Sequence, residues 1–331
     1  MRYRYVKYAI PYTKIYEIIN RLNTKKVIFH IDLQSICRGL YNKENVFYEL
    51  KYYVENNQPS NTLVDEYRFF LNDLYTKFRQ YSPFFITFYD DGKNEQNTII
   101  NSGYKDGRSS IKDVLLDDKE LYLHKEIKKL YFIKIQEKFT IPNHGQVFYL
   151  KEFEADLIPM FCLNENLYNS QNVDTLNIIL STDKDLLQCC KYRNTIQCTN
   201  RFIADPTGRK QLHMDLFDDL NSIIYIYKNF KPNNRISAKY IPLILALSGD
   251  TSDRVIGLKG IGPSKAINLI ETYSLPTTLL ELEILKFEKK LPRIILDNFD
   301  QVSRNYKIVC FNEQIKRIKT KLDTYTCGGN K

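Results

Sequence analysis

Short apolar runs alternate along this chain with longer amphipathic stretches. Val27 to Ile31 is one such run, ending in Asp32, and its length and flanks predict a buried strand. Helical stretches follow at roughly 46–56 and 63–80, the second stopping before Pro83. Phe84 to Tyr89 predicts a second buried strand, ending in Asp90 and Asp91. Val147 to Leu150 reads as a third, leading into a helix that starts near Glu154. Leu176 to Leu180 reads as a fourth, ending in Ser181-Thr182-Asp183, and Ile196 to Thr199 as a fifth. Ahead of the first strand, residues 1–25 are rich in Tyr and Lys and read as an N-terminal extension, with a short amphipathic helix over Tyr12 to Leu22. The pattern changes between about 100 and 145. There, a polar stretch is followed by a charged helical one over about 119–138, as in an insertion standing off a sheet. Beyond about 213 the periodicity is helical to the end.

Strands alternating with helices predict an α/β fold: a mainly parallel central sheet with helices on both faces. The expected division is an extension over 1–25, an α/β core over 26–212 and a helical C-terminal region over 213–331. In such sheets the functional crevice lies beyond the carboxyl ends of the strands. Asp32, Asp90 and Asp183 fall there, and Glu154, Asp156, Asp185, Asp250 and Asp253 extend the acidic set. Mg²⁺ is a hard cation that takes oxygen ligands at about 2.0–2.1 Å, so converging carboxylates suit it. Two such ions about 3.5–4 Å apart serve phosphodiester hydrolysis. Taken singly, each acid also fits an ordinary role as a helix cap or a first-turn acid. Joint placement at several strand ends is what favours metal binding. Asp113, Asp117, Asp118, Asp215, Asp218 and Asp219 read as solvated helical faces, and the four histidines show no ligand spacing.

Residues 255–270 carry a second signal, a helix-hairpin-helix pattern. Gly260-Ile261-Gly262 lies between two expected helical segments, and Pro263 suits the first turn of the second. Glycines let backbone approach a phosphate, and free N–H groups at a helix start bind the anion. Lys259 and Lys265 add positive charge. Such contacts go to the DNA backbone and are independent of base sequence.

Charge supports this picture. The formal net charge of +9 favours a polyanionic partner. The seven cysteines form no Cys-x-x-Cys pair and have no histidine at zinc-finger spacing, so they read as reduced, buried thiols of a cytosolic protein. No apolar run reaches the roughly 18 residues of a membrane helix, which predicts a soluble, cytoplasmic chain.

Together these segments resemble the 5′-nuclease superfamily: flap endonucleases, bacteriophage 5′-exonucleases and ribonuclease H, and the 5′-nuclease domain of bacterial DNA polymerase I. Four stretches carry the resemblance in order and spacing. They are Asp90 to Arg108, Phe153 to Asp156, Ser181 to Gln188, and the run from Ala246 to Ala266 with Gly249-Asp250, Asp253 and Gly260-Ile261-Gly262-Pro263. The resemblance implies a PIN-like fold with a helical arch over about 104–140 and a helix-hairpin-helix subdomain. It implies 5′-3′ exonuclease or flap endonuclease activity, including RNA-primer removal, that leaves 5′-phosphates. Asp32, Asp90, Glu154, Asp156, Asp183, Asp185, Asp250 and Asp253 match the family's ligands for two or more Mg²⁺ ions, with Mn²⁺ as a substitute. Lys105 and Arg108 match its basic residues at the scissile phosphate, and Tyr104 a base-stacking position. Lys259, Gly260, Gly262 and Lys265 match its DNA-contacting hairpin, where K⁺ is also implied. The implied partners are 5′-ended or branched DNA, RNA–DNA hybrids and replisome proteins, for a monomer working in the cytoplasm, or in a host's cytoplasm if phage-encoded.

The match has departures. Leu157 stands where an acid often follows, Arg254 where Asn is usual after the last Asp, and Leu33 where Gly follows the first Asp. An Arg common before the Tyr-Lys pair is absent, with Gln96 and Asn97 in that region. These features look more phage-like than cellular. Two other readings stay open on the sequence: a non-catalytic binder of branched DNA, and a PIN-like ribonuclease.

Overall fold

The structure is a computed structural model. It describes residues 10–36, 62–90, 95–100, 144–150, 153–204, 210–221 and 236–327, with single positions between 48 and 56. Its centre is a six-stranded sheet of β1 (Lys26–Asp32), β2 (Phe84–Asp90), β3 (Gly145–Leu150), β4 (Thr175–Leu180), β5 (Thr195–Ala204) and β6 (Lys210–Phe217), in the order β3-β2-β1-β4-β5-β6. The first five strands run parallel, and β6 pairs antiparallel to β5. Strand order reverses between β1 and β4, which opens a crevice at their carboxyl ends.

Every residue of β4 is buried, as in a parallel sheet covered on both faces. Side chains alternate along β1. Val27, Phe29 and Ile31 meet Ile15 and Ile19 of α1 (Tyr12–Leu22) and Tyr67, Leu71, Leu74 and Phe78 of α2 (Thr62–Phe78). Ile28 faces the other way, into a cluster with Ile86, Phe88, the apolar helix α4 (Leu157–Asn164) and Phe311, Ile315, Ile318 and Leu322. The helix over Tyr12 to Leu22 thus forms as its periodicity predicts, and its apolar side belongs to the core.

A second core surrounds α5 (Ile241–Ser248), where Ile241 through Leu247 are buried on all sides. Around it pack α6 (Pro263–Thr272), α7 (Leu279–Phe287) and α8 (Phe299–Val309). After Cys310 comes α9 (Phe311–Cys327), which supplies the four apolar residues on the sheet's second face. Between α2 and α4 lies α3 (Glu95–Ile100). Asn97 there is held from the C-terminal end: its amide donates to Gln314 Oε1 at 3.2 Å and its oxygen accepts from Arg317 Nη2 at 2.9 Å.

Two expectations are corrected. The chain is not helical from 213 onward, because β6 continues to Phe217 with every residue paired to β5. Nor does the glycine hairpin lie directly between two helices. A two-stranded pair, Gly249–Asp250 with Val255–Ile256, separates it from α5. The expected helix at 46–56 falls largely, and the expected arch over about 104–140 wholly, outside the described residues. Among the described residues no helix is long and apolar enough to cross a membrane.

Candidate active site

Asp32 ends β1 and is 7% exposed. Its carboxylate accepts from the Ser35 N–H at 3.0 Å, from the Ser35 hydroxyl, and from Ser181 Oγ at 2.6 Å. Ser181 follows β4, whose Leu180 is level with Ile31, so the hydroxyl bridges the crevice between the two strands. The same Ser181 Oγ accepts the Asp183 N–H at 3.0 Å, and Asp183 Oδ1 accepts the Asp185 N–H at 2.9 Å. One connected chain of hydrogen bonds therefore runs from Asp32 to Asp185.

Asp185, Asp250 and Asp253 come together, each offering a carboxylate oxygen within 4.8 Å of the others. Asp250 and Asp253 are buried, held at the two-stranded turn after α5. Asp250 Oδ1 accepts from Lys184 Nζ at 2.8 Å and from the Ser252 N–H at 2.9 Å. Burial pushes Asp250 up, but the Lys184 ammonium and the Ser252 hydrogen bonds outweigh it and hold the carboxyl below the usual range. Asp185 goes the other way. Burial, then the charges of Asp183, Asp253 and Asp250, push it well above the usual carboxylate range, and Lys184 opposes them only in part.

Asp185 Oδ1 is enclosed and has no hydrogen-bond donor. A buried acceptor left without a donor is costly, and a bound cation removes that cost. The three converging groups are all carboxylates, with neither thiolate nor imidazole among them. This is a donor set for a hard divalent cation such as Mg²⁺.

The other predicted ligands lie around this group rather than in it. Asp90 ends β2 on the same sheet edge, its backbone level with Leu150 of β3. Glu154 is 7% exposed just after β3, and Asp156 is half-buried at the start of α4. Lys105, Arg108 and Tyr104 lie outside the described residues. The residues that the sequence reading missed are Ser35, Lys184, Ser252 and Gln197. They are hydrogen-bond partners of the acids or of their backbone, a role without local sequence signature.

Beside the acids stands the glycine hairpin. Gly260 has φ +76, the left-handed region that favours glycine, with open space where a Cβ would lie. Gly262 precedes α6, no side chain caps that helix, and Pro263 opens its first turn. Lys259, Gly260, Gly262 and Lys265 are all exposed, and Lys265 Nζ donates to the Gly260 carbonyl at 3.1 Å. Ala266, Ile267 and Ile270 face the second core, as expected of the packed side. The start of α6 thus presents unpaired N–H groups next to lysine, an arrangement suited to phosphate.

A mainly parallel sheet with carboxylates at its switch point, beside an uncapped helix start, defines the class as an α/β fold with an acidic crevice. No protein-family model matches the chain. The 5′-3′ exonuclease of Aquifex aeolicus is 25% identical over 241 residues, 72% of this chain and 69% of that protein. DNA polymerase I of Caldicellulosiruptor bescii is 24% identical over 220 residues, 66% of this chain, and the match spans only 22% of the polymerase. A flap endonuclease of bacteriophage T5, solved as a pseudo-enzyme–product complex with DNA and metal ions, shares the fold. Its TM-score is 0.60 at 14% identity, covering 91% of this chain and 97% of that one. The chain thus resembles 5′-3′ exonucleases and the polymerase I segment in sequence, and shares the fold of the bacteriophage T5 flap endonuclease.

Proposed function

We propose that the chain is a Mg²⁺-dependent 5′-nuclease that hydrolyses phosphodiester bonds in 5′-ended or branched DNA, RNA-primed ends included, and leaves 5′-phosphates. The observation that carries this reading is the convergence of Asp185, Asp250 and Asp253 around an Asp185 oxygen with no donor. Asp32, Asp90, Glu154, Asp156 and Asp183 extend the ligand set along the same sheet edge. Bound divalent ions supply a Lewis acid and an activated water for phosphodiester hydrolysis. The chain's own residues do the rest. The start of α6, with Lys259 and Lys265, grips the duplex backbone, with K⁺ as a further ligand of the hairpin. Lys105 and Arg108 offset charge building at the scissile phosphate, and Tyr104 stacks on the neighbouring base. Mn²⁺ substitutes for Mg²⁺ because both accept the same oxygen ligands.

The test is product mapping on a 5′-labelled flap. Wild-type protein with Mg²⁺ releases short labelled products, EDTA stops it, and Asp250→Asn lowers the rate by at least about a hundredfold. Equal rates for wild type and variant overturn the reading.

A further inference from the structure

Gln197 lies in β5, level with Ile179 of β4, and is wholly buried. Its neighbours Ile196 and Cys198 fill the core on the α1 side, so Gln197 faces the opposite side of the sheet. An apolar residue is the ordinary choice at such a position. The glutamine instead donates twice from Nε2, to the Asp183 carbonyl at 2.6 Å and to the Ser181 carbonyl at 3.2 Å. Its own Oε1 is enclosed and has no donor. The site thus carries an unsatisfied acceptor for the sake of two donated bonds.

Those two carbonyls belong to the turn that leaves β4. The strand ladder ends at the Ser181 N–H, which donates to the Cys198 carbonyl at 3.3 Å. Beyond that rung, Gln197 carries the pairing onward by side chain. It fixes Asp183, whose carboxylate accepts the Asp185 N–H, and Asp185 in turn faces Asp250 and Asp253. It also fixes Ser181, whose hydroxyl reaches Asp32.

We propose that Gln197 is a positioning residue for the candidate metal centre: its amide locks the turn that presents Asp183 and Asp185, and so sets the affinity for divalent ions. The inference rests on the metal reading above and goes beyond it by naming a residue that touches neither ion nor substrate. Partners that hold metal-ligating groups in place are typically worth about 10–100-fold in metal affinity.

The test uses the full chain with Mn²⁺ alone as the probe, by calorimetry and by the Mn²⁺-induced rise in melting temperature. Gln197→Met keeps length and volume and removes both donors. It is expected to weaken Mn²⁺ binding by about tenfold or more. Thr199→Val is the comparison. Thr199 lies two residues on in the same strand, wholly buried, with a hydroxyl that has no hydrogen-bond partner. It is expected to bind Mn²⁺ as wild type does. Loss of packing alone would lower the melting temperature of Gln197→Met and leave its Mn²⁺-induced rise unchanged, which overturns the proposal. If Gln197→Met does not fold, Gln197→Leu also removes the donated bonds, and wild-type Mn²⁺ affinity in that folded variant likewise overturns it. A folded wild type that takes up no Mn²⁺ overturns the metal reading and this inference with it. Normal uptake by wild type and Gln197→Met alike overturns the positioning role alone.

Discussion

His30 shows how a single buried group sets a property of the whole chain. It lies mid-strand in β1, fully enclosed, with Nε2 3.2 Å from Asn177 Oδ1 and Nδ1 without a partner. Burial holds its pKa down to about 4, against a weaker upward pull from the Asn177 hydrogen bond. In the unfolded chain histidine titrates near 6.5. Above that pH both states carry a neutral ring and His30 contributes no slope. As pH falls from 6.5 to about 4, the unfolded chain takes a proton that the folded one refuses, and stability drops. The full loss is about 3 kcal/mol at 1.36 kcal/mol per unit. Urea titrations across this window are expected to show a flatter pH dependence for His30→Gln than for wild type; identical slopes would exclude His30 as the source. The residue scale also shows what a sequence carries and what it conceals. The pairs Asp183/Asp185 and Asp250/Asp253 stood out because each is closely spaced in sequence and the set recurs at strand ends, and the structure brings Asp185, Asp250 and Asp253 together. Ser35 and Gln197 did not stand out, because they reach the site from neighbouring turns and strands, and nothing near them in sequence records it. Arg254 stood out as a departure from an Asn position, and its φ of +55 supplies the reason: Asn tolerates that left-handed turn better than Arg.

At the scale of elements, the glycine hairpin separates folding from binding. Gly257 passes so close to α5 that a Cβ would lie 2.2 Å from the Ser248 carbonyl carbon. Gln301 and Asn305 of α8 pin this crossing, donating to the carbonyls of Ile256 and Gly257. Gly262 is different: its φ is −89 and a Cβ would meet nothing within 4 Å. Gly257→Ala is therefore expected to cost on the order of 3 kcal/mol through overpacking against backbone. Gly262→Ala should change stability by less than about 0.5 kcal/mol. It should nevertheless weaken duplex binding about tenfold, because the methyl group stands where a phosphate would approach the start of α6. Melting curves and a fluorescence-anisotropy titration check the pair, and a Gly262→Ala protein that binds as wild type would remove the hairpin from the DNA contact. β1, β2 and β4 were readable because each is a largely apolar run of ordinary length, whereas β5, with Gln197, Thr199 and Asn200 inside it, showed only its Ile196–Thr199 part. The sixth was missed although its pattern is present. Gln211, His213 and Asp215 alternate with Leu212, Met214 and Leu216, but an edge strand carries enough polar residues to pass for a helix face.

Across the whole molecule, the division into a sheet core and a helical annex, natural from the sequence, does not describe how the parts hold together. Only Cys310 separates α8, which pins the glycine hairpin, from α9, which covers the sheet. Phe311, Ile315, Ile318 and Leu322 of α9 are each no more than 4% exposed against the strands and α4. Burying a large apolar side chain is worth about 1.5–3 kcal/mol, so the four together contribute about 6–12 kcal/mol. That is comparable with the entire stability of an ordinary domain, about 5–15 kcal/mol. Gln188 adds a polar link at the junction: it donates to the Val309 carbonyl at 2.8 Å and accepts the Phe311 N–H at 3.2 Å. If α9 leaves, the sheet loses its cover, and if the sheet opens, α8 and the hairpin lose their anchor. Urea unfolding is thus expected to give one transition, coincident for a fluorophore at the hairpin and for far-ultraviolet circular dichroism. Ile318→Ala, which alters none of the proposed metal ligands, should lower the midpoint of both signals together by about 2–5 kcal/mol in stability. Two separated transitions, or a variant in which only the sheet signal moves, would show instead that the hairpin region folds independently of α9.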